Sequence, residues 1–222
     1  GMLSEDKFYD KADNFALYPT TDGEYFTFDE LKENIKDQQT DKDDKLVILY
    51  ASEVDSQHSY IKQAKDKGYK VLLLDSPIIG HLIQKMEGSK DKISFARVDG
   101  DTLENLIKKD ETVISKISDK EKEKLKPIIE DVVKEGGYTV QLEPLDSKSL
   151  PFVLTQPEFM RRMKEMQQTG GGGMMGNMPD MYNLVVNTNH ELVSQILNTK
   201  TKKKKESLFN KLLTLPNFLK IC

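Results

Sequence analysis

Methionines at helical spacing, acids at the ends of apolar runs and a block of lysines are the residues of this chain whose types and spacing could do chemistry. Met160, Met163, Met166, Met174, Met175, Met178 and Met181, seven of the nine methionines, crowd into one short stretch. Phe159, Met160, Met163 and Met166 fall on or beside one helical stripe, and Arg161, Arg162, Lys164 and Glu165 take the other face. Methionine is unbranched and polarizable, so such a stripe repacks against varied apolar partners. The same pattern also suits an ordinary core stripe, and spacing alone does not separate the two. Gly170 to Gly173 follow directly. They cannot hold the helix firmly, which keeps the binding reading open.

The other groups lead away from catalysis. Asp75 ends an apolar run, where a dinucleotide fold places its ribose-binding acid. The turn that would cradle a pyrophosphate is Ala51-Ser52-Glu53-Val54-Asp55, with no glycine and two acids, so a scaffold is expected there. His58, His81 and His190 share no helical face, and His190-Glu191 lacks the second histidine of a zincin motif. Solvated or helix-capping histidines are expected, without metal. No Gly-x-Ser-x-Gly, phosphate loop or recognisable pair of catalytic carboxylates occurs. Lys202 to Lys205 lack interleaved aromatics and read as a solvated run. Only Arg97, Arg161 and Arg162 among 33 basic residues are arginine, and the net charge is −4, a poor basis for reading nucleic acid. No apolar stretch approaches the ~18 residues of a membrane helix, and no signal peptide is apparent. Gly1 reads as a cloning scar. Cys222 is the sole cysteine, which excludes an intrachain disulfide and fits a reducing cytosol.

The elements that must position these residues divide near the middle of the chain. In the first half, Tyr25–Phe28 reads as a strand and Asp29 as the cap of a helix bearing Leu31 and Ile35. Leu46–Tyr50 and Val71–Leu74 are buried strands, with a helix over Asp55–Lys67 between them and Gly68 at its stop. Ile78–Met86 is a helix, and Ile93–Val98 alternates like an edge strand. Asp101–Glu104 has capping-box spacing before Leu106 and Ile107. Strand, helix, parallel strand and helix form a βαβ unit. Lys108–Ile117 is a polar linker, and Ser118–Glu121 opens a second capped helix, with Pro127 inside it to kink it. Strands at Tyr138–Leu142, Pro151–Leu154 and Met181–Val186 follow, with a helix from Pro157 to about Gln168 and another from Asn189 or His190.

Several segments together resemble the heat-shock protein 90 chaperone family, bacterial HtpG type. They are Glu5–Ala12, Thr21–Thr27, Gly68–Asp75, Leu150–Thr155, Phe159–Met163 and Asn187–Val193. The resemblance runs to about Lys200 and rests on order and spacing. It implies α/β followed by α+β. Residues 1–112 would be the small αβα subdomain of the family's middle region, built on the parallel βαβ unit. Residues 113–222 would be the C-terminal dimerisation domain, with helices and a three-stranded sheet, atypical after about 200. It further implies contact with unfolded or partly folded client proteins through Phe159, Met160, Met163 and Met166, and through His81, Leu82 and Met86. The family pattern often has a large aromatic at the position of His81. ATP and magnesium belong to an N-terminal domain expected upstream, so this chain is expected to have no cofactor and no catalysis of its own.

Beyond Lys200 the chain departs from the pattern of two further dimer helices. Leu208, Phe209, Leu212, Leu213 and Leu215 keep helical spacing for about two turns before Pro216. An adenine-rich template under the lysine run would be prone to slippage. One codon choice for the tail, read one base out of frame, spells an amphipathic helix, so a one-base frameshift is suggested. The leading expectation is a cytoplasmic client-binding and dimerisation fragment, with at most a weak homodimer, no nucleic acid and no membrane partner. A truncated remnant that folds without dimerising productively is the alternative. An enzyme on a Rossmann-like scaffold would require a phosphate site that the sequence lacks.

Overall fold

The structure is a computed structural model that describes residues 6–76, 78–169, 181–199, 201, 203–205, 207 and 210, with the side chains of 6, 8–10, 135 and 164–169 left aside. Two compact units divide at Asp110/Glu111.

In the first unit, α1 (Asp6–Asp13) leads into a two-stranded antiparallel ribbon, β1 (Tyr18–Pro19) and β2 (Tyr25–Phe26). Then come α2 (Phe28–Gln39), β3 (Leu46–Ala51), α3 (His58–Asp66), β4 (Val71–Leu73), α4 (Ile79–Ser89), β5 (Ile93–Arg97) and α5 (Leu103–Leu106). The sheet order is β4-β3-β5, all parallel, with Leu49 opposite both Val71 and Ala96. All six residues of β3 are buried, as a continuous apolar run in a central strand should be. Leu46, Ile48 and Tyr50 join Leu31 and Ile35 of α2 and Ile83 and Met86 of α4 in one core. Parallel crossovers are right-handed, so the two that run in opposite directions put α3 and α4 on opposite faces.

The cap of α2 is Thr27 and not Asp29. Thr27 N–H donates to Glu30 Oε2 at 2.8 Å, and Glu30 N–H returns a bond to Thr27 Oγ1 at 3.4 Å. That backbone bond to Thr27 lowers the Glu30 carboxyl below its ordinary value, with the Thr27 hydroxyl adding to it. Helix α3 starts at His58, later than the sequence pattern suggests, and ends on Gly68, whose φ of 78° is open to glycine. The cap of α5 is Thr102 and not Asp101, one residue later than the box expected at Asp101–Glu104. Asp101 Oδ1 accepts from Thr102 N–H at 2.7 Å, and Glu104 is held by Lys67 at 2.7 Å.

The second unit runs α6 (Asp119–Val133), β6 (Thr139–Glu143), β7 (Phe152–Thr155), α7 (Glu158–Thr169), β8 (Asn183–Asn187) and α8 (Glu191–Asn198). The capping box at Ser118 forms, with Ser118 N–H donating to Glu121 Oε2 at 2.7 Å. The sheet order is β6-β8-β7, with β6 parallel and β7 antiparallel to β8. Leu125, Ile129 and Val133 of α6 and Val193 and Ile196 of α8 close a core over Val140, Phe152, Leu154, Leu184 and Val186. The coarse expectation, α/β first and a mixed unit second, agrees with this architecture. Gly170–Gly173, Met174, Met175, Met178 and the tail residues Leu208, Phe209, Leu212, Leu213 and Leu215 lie outside the described residues.

Candidate functional site

The methionine stripe lies on α7. Edge strand β7 delivers the chain into Gln156-Pro157, and α7 begins at Glu158. Phe159 is 73% exposed, while Met160 and Met163 are half-buried. Neither methionine joins the cluster that α6 and α8 form with one face of the sheet; Val153 and Val185, buried on the other face, also lie outside it. Met166 lies on α7, with its side chain outside the description. Thr155 pairs with Asn183, so Met181, just before β8, leaves the sheet at the same end at which α7 begins. Met181 is 47% exposed. Two exposed apolar side chains, Phe159 and Met181, therefore lie near one end of this sheet.

Arg161 does not join the solvated face that its stripe position suggests. It is 5% exposed and donates from Nε to Glu158 Oε2 at 3.2 Å, while Arg162 Nε donates to Glu158 Oε1 at 2.7 Å. One carboxylate thus gathers two guanidinium groups in the first turn of α7, where the helix dipole also favours a negative charge.

Helix α4 separates the three other candidates. His81 is exposed and Leu82 half-buried against the core. Met86 is 1% exposed, and its sulfur accepts the Tyr18 hydroxyl at 3.6 Å. Met86 is a core residue, and its expected contact with outside partners is corrected accordingly. The helix stripe that carries it faces the sheet. Ile78, at the helix start, is 55% exposed and offers the apolar surface that Met86 does not.

The turn after β3 has a lock that sequence reasoning missed. Gln57 is buried, and its Oε1 accepts from Ser52 N–H at 2.8 Å and Glu53 N–H at 3.0 Å. The amides a phosphate would seek are already engaged, and Glu53 and Asp55 stand exposed beside them. These residues do not fit a triphosphate. Among the described residues, no group of three or more His, Cys, Asp or Glu could hold a metal ion. No described helix is long and apolar enough to cross a membrane.

A second unforeseen cluster follows β8. Asn187, Thr188 and Asn189 are buried polar residues. Asn187 Oδ1 accepts from Leu145 N–H at 3.2 Å, and its Nδ2 donates to the Asp146 carbonyl at 2.7 Å. Asn189 Oδ1 accepts from Lys116 N–H at 2.7 Å, and its Nδ2 donates to the carbonyls of Ile114 at 3.0 Å and Leu145 at 3.1 Å. One amide therefore fastens the entering strand of chain and the β6–β7 connection to the turn before α8. His190 caps α8, its Nδ1 accepting from Leu192 N–H at 3.1 Å, as the capping reading expected. Burial lowers the pKa of this imidazole, against a smaller opposing pull from Glu191.

A family model described as Hsp90 protein matches residues 3–216, past the point near Lys200 where the resemblance was read to end. The chain belongs to this family. The Chaperone protein htpG of Bacteroides fragilis (strain YCH46) is 41% identical over 201 residues, which cover 89% of this chain and 30% of that protein. The Chaperone protein HtpG of Porphyromonas gingivalis (strain ATCC 33277) is likewise 41% identical over 201 residues, 89% of this chain and 29% of its own length. That of Bacteroides thetaiotaomicron is 40% identical over the same length, again with 89% and 30% covered. The chain thus spans about 30% of the length of these curated relatives.

Proposed function

We propose that this chain is the client-binding and dimerisation part of an HtpG-like chaperone that assists protein folding in the cytoplasm. In this reading the first unit is the small αβα subdomain of the middle region, and the second is the C-terminal domain. The observation that carries it is the exposed end of α7. Phe159 stands exposed at its start, and Met160 and Met163 are half-buried outside the cluster that α6 and α8 close over the sheet. Flexible apolar side chains suit partners of varied shape, which is what unfolded or partly folded polypeptides present. His81 and Leu82, with Ile78, would form a second contact on α4.

The chain neither binds nor hydrolyses ATP in this reading, which the Gln57 lock on the β3 turn supports. Its homodimer is weak in this reading, because the apolar spacing after Lys200 predicts only about two helical turns, too little for the more than ~2,000 Å² of a stable obligate interface. The boundary near residues 112–113 falls within the exposed run 108–114, and limited proteolysis is to nick the linker Lys108–Ile117 first.

The test is suppression of the aggregation of a chemically denatured protein by the intact chain. Suppression in proportion to the amount of chain is expected. A folded chain that leaves aggregation unchanged would be the truncated remnant instead. Sedimentation equilibrium reads the dimer, and persistence at nanomolar concentration would contradict weak association.

A further inference from the structure

We propose that Met160, Met163 and Met181 form a reversible oxidation site that switches off the apolar surface of the second unit. This rests on the client-contact reading of α7 and adds a means of regulating it. The observations are differences in accessibility among residues of one type. Met181 is 47% exposed, Met160 and Met163 are half-buried, and Met86 is 1% exposed. The Thr155–Asn183 pairing brings Met181 to the end of the sheet at which the helix bearing Met160 and Met163 begins. The fourth is shut inside the core of the other unit, where its sulfur already receives the Tyr18 hydroxyl.

The chemistry needs only a peroxide. A lone pair on the thioether sulfur attacks one peroxide oxygen. The O–O bond breaks, an S–O bond forms, and the second oxygen leaves as water after taking up the proton. The sulfur is oxidised by two electrons and the peroxide is reduced. The product is a sulfoxide, polar and chiral where the side chain was apolar, and sulfoxide reductases reverse it. An apolar partner pressed onto a sulfoxide would strip water from an oxygen and offer it no donor. None of these residues belongs to the cluster that α6 and α8 close over the sheet, so that part of the core is untouched by the change.

Peroxide treatment of the intact chain tests the proposal, with peptide mass mapping over time. Met181, Met160 and Met163 are expected to gain oxygen well before Met86. Treated chain should lose roughly tenfold in its binding of denatured protein and of an apolar fluorescent dye, the scale set by an unpaired polar group in an apolar contact. Reductase treatment should restore both. The variant Met160→Leu/Met163→Leu/Met181→Leu cannot be oxidised at these positions and should keep both after peroxide. Equal oxidation of Met86, or equal loss in the leucine variant, would overturn the proposal. If untreated chain binds dye but not denatured protein, the client reading fails. The oxidation site then stands or falls on the dye alone.

Discussion

Helices α4 and α7 both carry methionine on an amphipathic stripe, and the structure treats the two stripes in opposite ways. Met86 of α4 is closed into the core with Ile83, Tyr18 and Phe28. Met160 and Met163 of α7 are half-buried and follow an exposed Phe159. The difference lies in the connections. Helix α4 crosses from β4 to β5 over a sheet whose middle strand is β3, so a layer lies beneath its whole stripe. Helix α7 follows the edge strand β7 and has no such crossing to make before β8. A helical stripe records that apolar side chains share a face. What covers that face is decided by topology.

The largest effect separating the two helices is expected at Met86→Ala. It removes most of a fully buried side chain and a partner of the Tyr18 hydroxyl, and the first unit should lose about 2–5 kcal/mol in urea unfolding. A loss below 1 kcal/mol would mean that α4 is as loosely seated as α7.

Asn189→Ala should come next. It leaves Lys116 N–H and the Ile114 carbonyl without their side-chain partner, at roughly 1–3 kcal/mol for a buried unsatisfied group. Hydrogen exchange at the Lys116 amide should accelerate in the variant, while amides of β3 stay as slow as before.

These two sites show what the sequence could convey. The strand β3 was legible because six consecutive apolar residues have few alternatives to a covered strand. The Ser118 box was legible because both partners lie within one turn. The same local rule chose Asp29 over Thr27, since both are good caps and only the reciprocal bond to Glu30 selects between them. It failed at Asp101 because α5 starts one residue later, with Thr102 at its cap. Gln57 and Asn189 were invisible because an amide side chain advertises no partner. Gln57 meets the amides of its own turn, and Asn189 meets backbone groups that only the fold brings near. Arg161 was misread because a stripe analysis assigns charge to solvent, whereas the fold leaves this residue only 5% exposed.

A smaller effect is expected from pH in the second unit. The His190 pKa is lowered in the folded chain, so the unfolded chain binds its proton more readily. Stability is therefore full above the ordinary histidine pKa of about 6.5 and falls as pH drops below it toward the folded value. Protonation also turns the Nδ1 acceptor into a donor and removes the cap on Leu192 N–H. Thermal melts between neutral and mildly acidic pH should show this slope for the second unit. His190→Asn, which keeps a capping acceptor, should flatten it.

The smallest effect on stability, and the largest on function, is expected at the α7 stripe. The decisive measurement compares the double variant Met160→Ser/Met163→Ser with the unaltered chain in two assays, thermal unfolding and suppression of denatured-protein aggregation. Unfolding of the second unit should shift by no more than about 1 kcal/mol, because half-buried side chains have less packing to lose than fully buried ones. Suppression should be largely lost. A variant that unfolds several kcal/mol more easily, or that suppresses aggregation as well as the original, would contradict the view that α7 is built for contact rather than for the core.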